Sequence, residues 1–217
     1  LDGSGPADLQ YSSFHGGSAD EHAYDITLDG NTGYVYITGS TGSSNFPTTS
    51  GAFRENIPAG YNPDAFVSAI DPAVSGSAGL IYSTYLGGDD NDSAYGIDVD
   101  DAGQVYVAGG TQSSNFPSTP DAFQSARLGA YEVFVSELDP AGTGSSDLIY
   151  STLLGGNDSF GEEARAVAVD KDGSIWVAGW TNSGDFPTTS NALQPDHGGT
   201  YDAFVSRLDP SASGADQ

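Results

Sequence analysis

The sequence predicts an all-β fold of β-propeller blades, arranged as three four-stranded antiparallel repeats of about 70 residues. Three observations predict it. Independent landmarks keep one period, each period holds four strand-like runs, and Gly, Asp and Pro punctuate those runs at turn positions.

The period is carried by three landmarks. YSSFHGG at 11–17 recurs as YSTYLGG at 82–88 and YSTLLGG at 150–156. Asn45-Phe46-Pro47 recurs as Asn115-Phe116-Pro117 and Asp185-Phe186-Pro187. DAFVS at 64–68 recurs as EVFVS at 132–136 and DAFVS at 202–206. The repeats run approximately over 1–69, 70–137 and 138–217.

The middle repeat serves as the pattern. Residues 94–100 alternate in character and stop at Asp101-Ala102-Gly103, after which 104–110 return as the second arm of a hairpin. A long polar loop follows. The third run, 132–138, stops at Asp139-Pro140, and the fourth, 148–154, stops at Gly155-Gly156. β-Branched and aromatic residues fill all four, and no 3.6-residue period persists. A β-solenoid usually has a shorter repeat, and a string of separate small sheets would leave two faces per sheet to bury.

LIYSTYLGG at 80–88, AYGIDVDDAGQVYVAG at 94–109 and NFPSTPDAFQ at 115–124 resemble the bacterial SBBP repeat, a β-propeller repeat. The resemblance covers nearly the whole chain, three times over. It implies a propeller in a large secreted or surface protein and assigns no activity. The first copy departs from the pattern, with Phe14-His15 standing where an apolar pair is usual before the double glycine.

With the strands of a blade labelled a to d from axis to rim, the chain reads d (9–15), abc (23–70), d (80–86), abc (94–138), d (148–154) and abc (164–208). One outer strand is surplus at the start, and the last blade needs one. The outer strand of the last blade is therefore expected in trans or from the rest of a longer chain, because a bare strand edge invites addition of another strand. The expected assembly strand carries Leu9, Tyr11 and Phe14, and its acceptor carries Phe204 and Leu208. Two chains closing a six-bladed ring and an open fibre are both compatible with this arithmetic.

Charge narrows the partners. Thirty acidic residues against five basic ones give a net charge of -25, which repels nucleic acid and anionic membrane surfaces alike. Cysteine is absent, which excludes disulfides, a thiol nucleophile and a zinc–thiolate site. No apolar run approaches the length of a membrane-spanning helix.

The d-to-a and b-to-c connections share one face of the blades, and the former are acidic. Asp89, Asp90 and Asp92, with Asp158, Glu162 and Glu163 one repeat on, are candidate ligands for Ca²⁺, a hard cation that takes 6–8 oxygens. The Asp-and-Gly a-to-b turns on the opposite face, at 29–33, 100–103 and 170–173, read as tight hairpin turns instead. Phe46, Phe116 and Phe186 read as loop anchors and Trp176 as core, while Trp180, at the end of a b strand, is a candidate platform for a sugar. No catalytic residue is assigned: His15, His22 and His197 fall at different repeat positions, and no nucleophile elbow or phosphate cradle is present. The expected function is a secreted or cell-surface scaffolding, adhesion or self-assembly module without catalysis, partnered by itself or the rest of a longer chain. A propeller binding surface glycans or protein, and a polysaccharide-active enzyme, are the alternatives.

Overall fold

The computed structural model describes residues 8–57, 62–157 and 160–212. They form three consecutive antiparallel sheets. The first holds β1 (Glu21–Leu28), β2 (Val35–Thr41), β3 (Asp64–Ile70) and β4 (Leu80–Leu86) in that order. The second holds β5 (Asp92–Val99), β6 (Val105–Thr111), β7 (Glu132–Leu138) and β8 (Leu148–Leu154), and the third β9 (Glu162–Val169), β10 (Ile175–Thr181) and β11 (Asp202–Leu208). Each sheet is a meander, so every strand pairs with its sequence neighbour. The all-β class and the runs 132–138 and 148–154 stand as read. The first strand of the middle repeat starts two residues earlier than expected, at Asp92.

The hairpins between the first two strands of each sheet turn on a glycine with positive φ. Gly33, Gly103 and Gly173 sit at 78°, 85° and 82°, and each amide bonds the carbonyl of Asp29, Asp100 or Asp170. A side chain there meets the left-handed region that glycine alone enters cheaply. The Asp29 carboxylate accepts from the Asn31 amide at 2.8 Å and from the Thr32 hydroxyl at 2.5 Å, so the acidic residue here serves the turn.

The core lies between sheets. Tyr36, Ala65, Val67 and Tyr82 of the first sheet pack on Ala94, Ile97, Val105, Val107, Phe116 and Phe134 of the second. Tyr106, Ala108, Val133 and Val135 then pack in the same way on Ala164, Ile175 and Val177 of the third. The Phe-Pro anchors behave as expected: Phe116 stacks on Phe134 at 4.5 Å, while Phe46 packs tilted on Phe66 at 4.7 Å and Phe186 tilted on Phe204 at 4.6 Å. Trp176 departs from expectation. Its strand position is core-like, but its equivalents Tyr36 and Tyr106 are buried under a following sheet, whereas Trp176 is 41% exposed, with the Arg207 guanidinium 5.8 Å from its ring centroid. No helix among the described residues is long and apolar enough to cross a membrane.

Candidate functional site

The outer strand of each complete sheet is held on two sides. In the second sheet β8 pairs along β7, with Phe134 opposite Leu153 and Leu138 opposite Leu148. Its other edge bonds the long loop: Thr119 donates its amide to Ser151 O at 3.0 Å, Leu153 donates to Gln124 O at 2.9 Å, and the Ser151 hydroxyl reaches Pro117 O at 2.6 Å. The first sheet repeats this through Thr49, Arg54, Pro47 and Ser83. In the third sheet, β11 and the loop carrying Pro187, Thr189 and Gln194 stand at the equivalent positions with no outer strand among the described residues.

Residues 9–15 are the sequence equivalent of β4 and β8, yet they form no strand ladder in the chain alone. A strand needs a neighbour, and the neighbour predicted for this segment is β11, at the far end of the array. Leu9 and Phe14 are fully or largely exposed, and Tyr11 is 46% exposed. His15 is the exception. It takes the place of Leu86 and Leu154, its ring packing edge-on at 4.7 Å from Phe46 while Nε2 meets the Ser68 hydroxyl at 2.9 Å. Burial, opposed by the Glu21 carboxylate, holds its pKa below the ordinary value. The departure noted at Phe14-His15 therefore keeps the segment over the first sheet, with Phe14 turned to solvent.

The two ends of the array present the two halves of its internal junction. At the far end, Val205 is 70% exposed where its equivalents Val67 and Val135 are fully buried. At the near end, Ile26 is 62% exposed where its equivalent Ile97 is buried. A column of rings along the innermost strands follows the same order. Tyr24 packs on Tyr95 at 4.8 Å, and the Arg165 guanidinium lies over Tyr95 at 4.5 Å.

The acidic positions sort into turn formers and buried pairs. The exposed Asp89 accepts from the Ser114 amide at 3.0 Å and hydroxyl at 3.1 Å. Asp90 accepts from the Asn62 side chain at 3.0 Å and the Asn91 amide at 2.9 Å. Asp92 turns inward to the Gly88 amide at 2.7 Å and the Ser113 hydroxyl at 2.8 Å. Glu162 does likewise with the Gly156 amide at 3.1 Å and the Thr181 hydroxyl at 3.3 Å, whereas Glu163 takes the Tyr131 hydroxyl at 3.0 Å and pairs with Arg165. Asp158 lies outside the described residues. Among the described residues no three His, Asp or Glu side chains are placed to hold one metal ion. Trp180, half-buried, packs edge-on against Tyr201 at 5.3 Å beside the open end.

What the sequence reading missed is a carboxylate pair at each junction. Asp64 and Asp92 converge on the space that a Cβ at Gly87 would occupy, 2.1 Å and 2.5 Å from it, and both residues are buried. Glu132 and Glu162 flank Gly155 in the same way. Oδ1 of both aspartates and Oε2 of Glu162 are buried without a hydrogen-bond partner. Burial, with Asp92 alongside, raises Asp64 to about 8 against the pull of Arg54, and burial raises Asp92 to about 6. Burial raises Glu132 and Glu162 as well. The signal was available as a recurrence: an acid at 21, 92 and 162, and another at 64, 132 and 202, each aligned with Thr41, Thr111 or Thr181.

No curated protein matches the chain. The family model described as the SBBP beta-propeller repeat matches residues 81–117 and 149–187. Each matched stretch starts in the outer strand of one sheet and ends at the Phe-Pro anchor of the next, so the family's unit straddles the junction described above. Two stretches of the chain thus match the SBBP beta-propeller repeat, each matched unit spanning the joint between two sheets.

Proposed function

We propose that the chain is a non-catalytic structural module of the cell exterior that joins head to tail with a second copy, each copy lending residues 9–15 as the outer blade strand of its neighbour. One observation carries the reading: the exposed faces at the two ends are the separate halves of the junction already formed twice inside the chain. The internal register supplies the expected docking. Phe14 falls opposite Phe204, Ser12 opposite Ser206 and Leu9 opposite Leu208, as Leu153, Ser151 and Leu148 fall opposite Phe134, Ser136 and Leu138. Phe14 then covers the Phe186–Phe204 stack as Tyr85 covers Phe46 and Phe66. Arg165 is brought to Tyr24 of the next copy, continuing the ring column. The joint is heterologous, so it closes a ring or grows a fibre according to the rotation per chain. The strongly acidic surface suits the salt-rich medium of the exterior, where screening lets like-charged copies approach.

Burying Phe14 contributes about 2–3 kcal/mol, set against the entropy of association. Sedimentation velocity over a concentration series checks the reading. The full chain should associate, Phe14→Ser should weaken association at least about tenfold, and a chain starting at His15 should stay monomeric while its melting transition persists. A full chain that remains monomeric at high concentration, or a truncated chain that associates equally well, overturns it.

A further inference from the structure

The glycine-walled carboxylate niche occurs four times, twice complete and twice in halves. At Gly87 it holds Asp64 and Asp92, and at Gly155 it holds Glu132 and Glu162. At Gly16, among the described residues, only one acid is present: a Cβ there would lie 2.3 Å from Glu21 Oε2. Glu21 otherwise accepts from the Thr41 hydroxyl at 2.9 Å and the Gly17 amide at 3.1 Å. At the other end Asp202 stands with its Oδ2 accepting from the Gly198 amide at 2.6 Å and Gln194 at 3.4 Å, where the next copy's glycine and acid would complete the niche.

The neighbours of the half-niches differ from those of the complete ones in one respect. Each complete niche has an arginine within electrostatic reach, Arg54 at the first and Arg127 at the second. At the third, His197 stands at Arg127's position, its Nε2 4.0 Å from Asp202 Oδ2 and 3.5 Å from Thr181 O. The titratable groups around the two halves are His15 and Tyr85 beside Glu21, with Asp20 and His22 adjoining it in sequence, and His197 beside Asp202. None of these is a lysine or an arginine; Arg165, which the joint brings to Tyr24 of the next copy, is paired with Glu163 of its own copy.

We propose that the head-to-tail joint is proton-gated: Asp202 of one copy and Glu21 of the next meet over Gly16 and share a proton, so that copies associate at mildly acidic pH and separate in alkali. This rests on the head-to-tail reading. Two carboxylates brought together out of water cannot both stay ionised unless a cation joins them. The complete niches behave this way, Asp64 being held protonated up to about 8 with a guanidinium nearby. At the joint the nearby base is the His197 imidazole in place of a guanidinium. Association takes up protons, so it strengthens as pH falls and weakens as pH rises.

The experiment is sedimentation of the full chain at pH 5.5 and pH 8 and at one ionic strength, beside Glu21→Gln and Phe14→Ser. Wild type should associate at least about tenfold more tightly at pH 5.5, the change corresponding to one pKa unit of linkage. Glu21→Gln, which keeps the shape and removes the second charge, should bind at pH 8 within about threefold of its pH 5.5 affinity. Equal wild-type affinity at the two pH values, with Phe14→Ser still weakening it at least about tenfold, overturns the gate and leaves the joint standing. A pH response that Glu21→Gln retains in full also overturns it. A chain monomeric at both pH values overturns the joint and the gate together.

Discussion

Raising the pH from 6 to 9 should destabilise the folded chain by on the order of 3 kcal/mol, the reverse of the response of a protein whose carboxylates are salt-bridged. Asp64 is raised from 3.8 to about 8 and Asp92 to about 6, first by burial and, for Asp64, next by its partner's charge. The folded state then holds protons that the unfolded chain releases near 4. The stabilisation is complete below that value and is lost as pH climbs through 6 and past 8. Burial raises Glu132, Glu137, Asp147 and Glu162 too, so their contributions carry the same sign. His15 has the opposite sign: its lowered pKa favours folding as pH rises through 6.5. At the acid end Asp29 carries the ordinary sign, its Thr32 hydrogen bond lowering its pKa, so its contribution is lost as pH falls below the usual carboxylate range. Stability should therefore peak between about pH 4 and 6. Urea unfolding at pH 6, 7.5 and 9 measures the slope, and Asp64→Asn should flatten most of it. A wild type equally stable at pH 6 and 9, or a slope unchanged in Asp64→Asn, would show that the pair is hydrated and ionised in solution.

The fold was legible because periodicity and turn chemistry are local. Tyr150 to Gly156 announces a strand and its stop without reference to anything distant, and β7 and β8 fall where the residues place them. The carboxylate pairs were not legible, because a pair is made by packing. Asp92 read as part of an exposed acidic loop with Asp89 and Asp90, and only the strand's early start turns it inward. In a chain with 30 acids, residue type alone separates a buried carboxylate from a solvated one poorly. The recurrence of an acid opposite Thr41, Thr111 and Thr181 would have singled these positions out. Trp176 illustrates the converse. Strand alternation fixes the face it occupies, but whether that face is covered depends on the neighbouring sheet.

Gly109→Ala should cost about 3 kcal/mol or more, beyond the usual range for one added methyl group. The glycine lies in β6, where β5 carries a bulge between Ala94 and Gly96 that leaves Tyr95 without a partner. The bulge is what aims Tyr95 at Tyr24 and Arg165 in the neighbouring sheets. It also drives the β5 backbone against position 109. A Cβ there would lie 2.0 Å from the Ser93 carbonyl oxygen and 2.8 Å from both Ala94 Cα and Phe134 Cε1. Two of these three obstacles are backbone, so no rotamer change relieves them, and the third is a buried ring held against Phe116. The constraint recurs once per sheet: a Cβ at Gly39 would meet His22 O at 1.8 Å, and one at Gly179 would meet Glu163 O at 2.0 Å. These glycines are thus required by close approach of two strands. Gly30→Ala is the matched control, since a Cβ there meets nothing within 4 Å, and it should stay within about 0.5 kcal/mol of wild type. Parallel urea titrations of the two variants decide the matter. A Gly109→Ala protein as stable as Gly30→Ala would mean that the bulge can relax, and that the column of rings joining one sheet to the next is not held in place by it.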